Sequence, residues 1–256
     1  MCDSSAACSW SRESGLIECY WMDEDTLSEW LWKLVVWSVI ILPILVLGLA
    51  VSLSLGVADQ GPLGPIVWDT GFDPSRDHDI HLWSQSFSST VAVKPGSKGL
   101  TFNLGRPEMI GAFTRTGVGV PLTSEIEGAQ VDGPPGAMFG LVFDYLSERD
   151  YSAVMVNNNG YVMAYRQSGT QREELVPLQQ WPHVLLGQHT NRLRVDIHDG
   201  SAVIRVNNEV LKSVPSNGQG ALGVIALSRA PGQVVRFGRS KCWSGQQNPR
   251  TSGDSM

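Results

Sequence analysis

The pattern of hydrophobic and polar positions changes after Ala58. Before this point lies an apolar run, 34–58, that contains no charged residue over 25 positions. From Ile66 onwards, apolar residues occur in short segments rich in Val, Ile, Phe and Tyr, and turn residues separate these segments. Short, regularly spaced segments of this kind are typical of a β-sandwich or barrel. The pattern therefore predicts one apolar helix followed by an all-β domain.

Turn residues divide the β region into strands. The stretch 139–167 (FGLVFDYLSERDYSAVMVNNNGYVMAYRQ) predicts three strands, and residues 158–160 can adopt the positive φ of a tight hairpin. Asp-Gly at 199–200 and Asn-Asn at 207–208 predict two more hairpins, and ALGVIALS and QVVRFGRS predict the last two strands. In NRLRVDIH, 191–198, apolar and polar residues alternate, which predicts one face in the core and one in water.

The first two strands of 139–167 are apolar on both faces. Alternation assigns Phe139, Leu141, Phe143 and Tyr145 to one face of the first strand. An apolar outer face requires a cover, because exposed apolar patches mark contact sites. Two segments of this chain, around 179–187 and 78–88, are candidates; the alternatives are a partner protein, the membrane surface or a sugar ring. The candidate interface residues are Val142, Val154 and Val156, together with Trp30, Trp32 and Trp37 near the apolar run.

The apolar run is long enough to cross a bilayer as a helix, because about 20 residues suffice. Tryptophan residues crowd its N-terminal end, where indole rings favour the headgroup layer. Lys33 lies at this end, and the first basic residue after the run is Arg76, which favours a cytoplasmic N-terminus and an extracytoplasmic body. We therefore expect a single-pass anchor in the cell membrane that contacts lipid through 34–58. A signal peptide cleaved after Ala58 is the alternative.

These features divide the chain into five segments. Met22 offers a second plausible start of translation beside Met1, and the sequence leaves this choice open. The predicted segments are a disordered cytoplasmic tail at 1–26, an anchor helix at 27–58, a Gly/Pro linker at 59–65, a β domain at 66–243 and a disordered tail at 244–256.

Charge and cysteine usage narrow the function. The net charge is −6, but residues 1–33 hold two basic and seven acidic side chains, so the body is nearly neutral. It has no basic surface of the kind that nucleic acids require. Only Cys242 lies in the body, which excludes an internal disulfide, and no zinc spacing occurs. The Asp- and His-rich stretch 69–81 fits no EF-hand spacing, so we predict neither a metal nor a cofactor.

Three segments in order resemble a known family. They are GLVFDYLSERDYSAVMVNNNGYVMAY, NRLRVDIHDGSAVIRVNNEVLKSVP and GALGVIALS. They are similar to the concanavalin A-like, laminin G-like jelly rolls, over about 68–243. The resemblance implies two antiparallel sheets packed face to face, with a concave outer surface on one. Relatives include sugar-binding modules, glucanases and protein-interaction domains, so the fold does not choose the function.

Catalytic residues are not predicted. The glucanase interpretation needs paired carboxylates, and the candidate pair, Glu125 and Glu127, lacks the further acid that the laminarinase-type motif carries. Sugar binding uses aromatic rings that stack under sugar faces, and Trp83 and Trp181 are candidates because they lie outside the predicted strands, whereas most other rings are assigned to the core. A polar row on one strand offers an anion site. The candidate ligand-binding residues are Trp83, Trp181, Arg194, Asp196, His198 and Arg205.

The sequence thus predicts a non-catalytic, membrane-anchored extracytoplasmic interaction domain. We interpret it as an accessory or scaffolding subunit of a larger bacterial membrane complex, for example one of respiratory or photosynthetic electron transfer. The expected partners are membrane lipid and membrane protein subunits. The first alternative is an anchored carbohydrate-binding module with a glycan partner, and the second is a glucanase-like hydrolase.

Overall fold

The structure is a computed structural model. It describes residues 7–10, 17–20, 24–54, 61, 64–77, 83–86, 93–114 and 119–245. The chain divides into two compact units, Met1–Ala58 and Asp59–Met256. The predicted cleavage point, residues 56–58, and residues 246–256 lie outside the described residues.

The first unit consists of a hairpin and a long helix. Strands β1 (Ala7–Trp10) and β2 (Ile17–Tyr20) pair in antiparallel fashion. Helix α1 (Glu24–Ser54) begins before the predicted anchor at 27 and contains Pro43.

Helix α1 is consistent with a membrane anchor. Its segment Trp30–Val51, 22 residues long, is apolar and long enough to cross a membrane, and none of it is buried. The three tryptophans named above are exposed on it, Trp30 by 63%, Trp32 by 69% and Trp37 by 59%. A helix that spans the hydrocarbon core of a bilayer exposes an apolar surface of this length to lipid.

The second unit is a sandwich of two antiparallel sheets, which confirms the predicted fold class. The seven-stranded sheet has the order β12 (Gln171–Gln180), β11 (Tyr161–Ser168), β10 (Asp150–Asn157), β9 (Met138–Ser147), β16 (Ala221–Leu227), β7 (Met109–Thr114) and β4 (Trp83–Ser86). The eight-stranded sheet has the order β15 (Glu209–Pro215), β14 (Ser201–Val206), β13 (Asn191–His198), β8 (Leu122–Asp132), β17 (Gln233–Ser244), β6 (Gly99–Leu104) and β5 (Val93–Gly96), and β3 (Ile66–Thr70) pairs with β17.

Local sequence explains the tight turns. Asp199 and Gly200 have φ values of 49° and 74°, and Asn207 and Asn208 have 51° and 76°. Two consecutive residues with positive φ form the turn whose twist matches that of antiparallel strands. The hairpins β13–β14 and β14–β15 therefore form where the sequence predicts them.

The inner faces of the two sheets form one core. The ring of Phe237 meets those of Phe102 and Phe139 edge-on, at centroid distances of 5.4 and 6.3 Å. Gly128 on β8 lies under two of these rings, and a Cβ atom there would be 3.0 Å from both Phe139 and Phe237. Edge-on aromatic pairs add about 0.5–1.5 kcal/mol each beyond their burial. This packing holds the sheets together without a disulfide.

The outer face of the seven-stranded sheet is also apolar, as predicted. Two of the valines that the sequence assigned to this face, Val154 and Val156, lie instead on the inner face. Leu141 pairs with Val154, and Val142 pairs with Ala153. Residues directly opposite each other share a face. Val154 and Val156 therefore face the inter-sheet core, where both are fully buried, and they cannot form an accessible interface. Val142 does lie on the outer face, fully buried.

We call this outer apolar layer the tyrosine–methionine cluster. Its members pack on each other: the ring of Tyr145 stacks on Phe113 at 3.9 Å, and the Arg172 guanidinium lies 3.6 Å above the ring of Tyr165. Of the expected covering segments, 179–187 instead sends Trp181 and Val184 to the inter-sheet core. Residues 78–82 and 87–88 lie outside the described residues. The cluster consists of Phe113, Met138, Val142, Tyr151, Ala153, Met155, Tyr165 and Ile225, with Met109, Tyr145, Met163 and Leu227 at its margin.

Candidate functional site

The two tryptophans predicted to bind sugar lie far apart. Trp83 is on β4 and Trp181 follows β12, and these strands form the opposite edges of the seven-stranded sheet. Six strand spacings separate the edges by about 29 Å. Trp83 packs edge-on against Phe72 at 5.1 Å, and both indoles are partly buried against the inter-sheet core. The structure therefore does not bring them together as a sugar platform.

The predicted polar row is largely committed to internal bonds. The Asp196 carboxylate accepts hydrogen bonds from Arg194 Nε at 2.8 Å, Arg205 Nε at 3.0 Å and Thr123 Oγ1 at 2.7 Å. Arg194 is 5% exposed and Asp196 is 7% exposed. His198 is more open, with Nδ1 3.7 Å from the Asp199 carboxylate. A buried carboxylate between two guanidinium groups stabilises the sheet and leaves little surface for an anionic ligand.

The acidic side chains of the stretch 69–77 are likewise engaged in internal ion pairs and hydrogen bonds. Asp69 forms a two-bond ion pair with Arg239, at 2.7 and 2.6 Å, and this holds its pKa below the usual range. The Asp77 carboxylate accepts bonds from Thr70 Oγ1 at 3.1 Å and from the amide of Asp73 at 2.8 Å. Residues 78–81 of this stretch lie outside the described residues. Across the part of the chain that is described, no group of three His, Cys, Asp or Glu could hold a metal.

A cleft absent from the sequence predictions forms where β9 ends. Asp144 has a left-handed backbone, with φ 52°, at a register shift between β9 and β10. Its side chain, only 6% exposed, reaches the loop that follows β15. Ser216 Oγ donates to both carboxylate oxygens at 2.9 Å, and the amide of Gly218 donates at 3.1 Å. Burial raises the pKa of this carboxyl, and the Ser216 bond opposes the rise.

Opposite Asp144 stands Arg166 of β11. Its Nε donates to Ser152 Oγ at 3.4 Å, and one terminal nitrogen donates to the carbonyl of Pro215. A second terminal nitrogen lies 4.0 Å from Glu173. A guanidinium has five N–H donors, so these contacts hold it in place and leave donors for a ligand. We call the space between these groups the Asp144 cleft. It has a volume of about 330 Å³ and is lined by Asp144, Asp150, Tyr151, Ser152, Arg166, Pro215, Ser216 and Asn217.

The Asp144 cleft combines the groups that recognise hydroxyl-rich molecules. It has carboxylate acceptors, a guanidinium donor, an amide that both donates and accepts, and the side of a tyrosine ring. Its volume lies at the lower end of the range for small-molecule sites, about 300–1,000 Å³. The loop bonds fix Asp144 before a ligand arrives, which lowers the entropic cost of binding.

The two glutamates considered for catalysis lie elsewhere. Glu125 and Glu127 are on the outer side of the eight-stranded sheet, where Arg192 Nε is 3.7 Å from the first carboxylate and 3.9 Å from the second. Burial raises the pKa of Glu125, and Arg192 opposes the rise. Neither residue lines the Asp144 cleft. Both carboxylates have an ion-pair role that requires no catalysis.

Sequence reasoning missed Asp144 because the cleft joins residues that are distant in the chain. Ser216 lies 72 positions from Asp144. One signal was available, since Asp144 interrupts the apolar strand FGLVFDY and aspartate adopts a left-handed backbone more readily than most residues. The same residue explains why Tyr145, which alternation assigns to the inner face, belongs to the outer cluster.

Comparison with known proteins places the fold. No protein-family model and no curated protein matches the chain. The carbohydrate recognition domain of Emp46p matches with a TM-score of 0.52 at 12% identity, over 69% of this chain and 95% of that one. The exoplasmic/lumenal domain of VIP36, bound to Ca²⁺ and Man3GlcNAc, matches with 0.50 at 11% identity, over 70% and 90%.

A structure described as a native glycosidic hydrolase is equally similar. Its TM-score is 0.52 at 10% identity, and the match covers 69% of this chain and 94% of that one. Likeness at this level of identity concerns the fold. The body of this protein is therefore a sandwich of two antiparallel sheets that shares its fold with these lectin-like domains.

Proposed function

We propose that this protein is a membrane-anchored carbohydrate-binding protein whose body binds glycans in the Asp144 cleft without catalysing a reaction. The observation that carries the proposal is the cleft itself: a buried, loop-fixed carboxylate faces a partly exposed guanidinium across about 330 Å³. Helix α1 supplies the anchor, and an extracytoplasmic body would meet glycans at the cell surface.

The charges of the cleft favour a neutral sugar. Two carboxylates, Asp144 and Asp150, and one guanidinium, Arg166, line it. An anionic ligand would meet two like charges, whereas sugar hydroxyls donate to the carboxylates and accept from the guanidinium. Vicinal hydroxyl groups suit this arrangement because one ligand then satisfies both walls. Hydrogen bonds to charged groups are the stronger ones in recognition.

The fold likeness supports this proposal more than the accessory-subunit interpretation. One similar structure is a carbohydrate recognition domain, and another has a bound glycan. The accessory-subunit role in a membrane complex stays a prediction. The similar structure of a native glycosidic hydrolase favours the hydrolase alternative. Against it, Glu125 and Glu127 lie near Arg192 and outside the Asp144 cleft.

The test is glycan binding by the full chain, purified in a detergent that has no sugar headgroup. An array of neutral and acidic oligosaccharides identifies the ligand, and titration gives its Kd. The key variant is Asp144→Asn, because asparagine keeps the shape and tolerates the left-handed backbone. Loss of one charged hydrogen bond should weaken binding about tenfold to a hundredfold.

The matched control is Asp199→Asn. Asp199 also has a left-handed backbone, with φ 49°, but its side chain is fully exposed in a hairpin turn. This variant should bind as the wild type does. Equal affinity of Asp144→Asn and the wild type would refute the proposed site, and absence of binding across the array would refute the function.

A further inference from the structure

A second cleft opens on the other sheet. It has a volume of about 360 Å³, between the outer side of the eight-stranded sheet and the loop before β13. We call it the Arg192 cleft. Its lining consists of Glu127, Leu185, Thr190, Arg192, Asn207 and Asn208.

The walls of the Arg192 cleft are fixed by one buried side chain. Asn191 is 1% exposed, and its Oδ1 accepts bonds from the amide of Leu185 at 2.7 Å and from Nδ2 of Asn207 at 2.8 Å. Its Nδ2 donates back to the Leu185 carbonyl at 3.0 Å. Asn207 also donates to the carbonyl of His183 at 2.6 Å. The loop and the β14–β15 turn are thus held against β13, so the cleft exists before a ligand binds.

The side chain of Asn207 is fully hydrogen-bonded, but the Arg192 guanidinium and the Glu127 carboxylate are only loosely engaged. Arg192 approaches Asn208 Oδ1 at 3.3 Å and the carboxylates of Glu125 and Glu127 at 3.7 and 3.9 Å. These distances exceed those of good hydrogen bonds, about 2.7–3.2 Å. The Arg192 side chain is 44% exposed and that of Glu127 is 34% exposed. By contrast, Arg194 binds Asp196 at 2.8 Å in a buried site on the same strand.

We propose that the Arg192 cleft is a second binding site for neutral sugars, distinct from the Asp144 cleft. Glu127 accepts hydroxyl protons, Arg192 and the Asn208 amide donate to ring and hydroxyl oxygens, and exposed Leu185 contacts the apolar side of the sugar ring. One carboxylate and one guanidinium give the lining no net charge. An anion attracted by Arg192 would be repelled by Glu127, and a cation attracted by Glu127 would be repelled by Arg192.

The two sites lie at opposite ends of the sandwich. The loop beside the Arg192 cleft is bonded to the β10–β11 turn, where the Gly187 amide donates to the Asn158 carbonyl at 2.9 Å. Arg166 of the Asp144 cleft lies near the far end of β11. The six residue-to-residue steps from Gly160 to Arg166 span about 20 Å. Two sites at this distance allow one domain to hold two sugars or two points of a longer glycan. The ligand class, though not the cleft, rests on the proposed function.

The experiment is hydrogen–deuterium exchange of the full chain in a sugar-free detergent, with millimolar maltose, cellobiose, lactose or sucrose. Glucuronic acid serves as the anionic probe. At least one of the neutral disaccharides should slow exchange in the peptides that cover 183–192 and 205–210. The variant Asn208→Gly removes the amide and keeps the positive φ. It should weaken this effect about threefold to tenfold, as loss of one neutral hydrogen bond does. Thr190→Val should act in the same direction, and Asp144→Asn should leave the effect unchanged.

The outcomes separate the two clefts. Slowing at 214–220 without slowing at 183–192 would overturn the second site and leave the proposed function intact. Slowing at neither region with any sugar would overturn both. Slowing at 183–192 by glucuronic acid alone would overturn the neutral ligand class. Slowing by a neutral disaccharide that Asn208→Gly does not weaken would overturn the assignment to this cleft.

Discussion

Asp144 shows how one residue changes the side of a strand that its neighbours occupy. The three residues Phe139, Leu141 and Phe143 face the inter-sheet core, in strict alternation. The left-handed backbone of Asp144 at φ 52° breaks this alternation, so Tyr145 joins the outer cluster. The aspartate side chain then points to the loop after β15, where it lines the proposed glycan site.

The raised pKa of Asp144 predicts that glycan binding depends on pH. Burial raises this pKa above its ordinary value of 3.8. The ionised carboxylate accepts sugar hydroxyls, and protonation removes part of that capacity. Affinity should therefore fall on acidification, with a midpoint above 3.8. Titration of the array-selected oligosaccharide against the full chain at a series of pH values measures this.

The raised pKa of Asp144 also determines how the contribution of this residue to stability changes with pH. Between 3.8 and the raised value, the folded chain binds the Asp144 proton more tightly than the unfolded chain does. The contribution of this group to the free energy of unfolding therefore falls as pH rises through that window.

The control for the pH dependence of binding is Asp144→Asn, which should show weak, pH-independent glycan binding. A wild-type profile that stays flat down to pH 3.8 would contradict the role of the carboxylate.

At the scale of the elements, oppositely charged side chains on neighbouring strands form pairs across the outer face of the eight-stranded sheet. Asp69 on β3 faces Arg239 and Lys241 on β17, and Glu125 and Glu127 on β8 face Arg192 on β13. Cross-strand pairs of opposite charge favour one register over its neighbours. The pairs around Asp69 therefore explain part of this polar sheet face without a ligand.

The buried and the exposed ion pairs of this sheet should differ in their effect on stability. Asp196→Asn removes the carboxylate charge that Arg194 Nε contacts at 2.8 Å and Arg205 Nε at 3.0 Å in a buried site. Breaking a buried pair in this way costs about 3–5 kcal/mol of unfolding free energy. Asp69→Asn breaks the exposed pair with Arg239 and should cost less than about 1 kcal/mol. Urea unfolding of the full chain in micelles, followed by fluorescence, measures both.

Equal losses from these two substitutions would show that burial does not set the strength of the Asp196 network. A larger rise in stability on adding sulfate to the Asp196→Asn variant than to the wild type would show that the two arginines accept an anion once the carboxylate charge is removed. Sulfate stabilises folded proteins in general, so the wild type should gain less stability than the variant, because its carboxylate already occupies that position.

The elements of this chain were more predictable than its sites. Turn residues such as Asp199 and Asn207 act on their own backbone, so the hairpins could be read from short stretches. Alternation placed Leu193 and its neighbours correctly, because β13 has no irregularity. Both clefts, by contrast, join a strand to a loop that is distant in sequence, and no local pattern encodes such a meeting. Alternation also did not show that Arg194 and Arg205 bond to Asp196, since it gives the face of a side chain and not its partner.

For the whole molecule, the two units expose different surfaces. The body buries its core between two sheets, and ion pairs engage outer groups such as Asp196 and Asp69. Helix α1 exposes leucine, isoleucine and valine along its length, and no described part of the chain buries Trp30–Val51. A glycan-binding body gains an effective local concentration when it is tethered to the surface that carries its ligand. The proposed anchor would therefore assist the proposed binding activity.

The anchor is tested by placing charge at its centre. The double variant Ile41→Arg/Leu45→Arg puts two guanidinium groups on one face near the middle of Trp30–Val51. Each arginine at the centre of a membrane helix costs about 2.5–3.5 kcal/mol on insertion scales. The variant should leave the membrane fraction, whereas the wild type should resist extraction with alkaline carbonate. Trp30→Arg is the control, because an arginine at the helix end reaches the headgroups and should keep the chain in the membrane.

The orientation follows from two further measurements on the membrane-bound chain. Protease added to intact cells should degrade the body if it is extracytoplasmic, and it should spare the segment before α1. The intact mass distinguishes a retained anchor from cleavage after Ala58, because cleavage removes the helix and frees the body. A body that is protected in intact cells and degraded only after lysis would place it in the cytoplasm. The glycans of the cell surface would then be out of its reach, and the ligand would have to be an intracellular sugar.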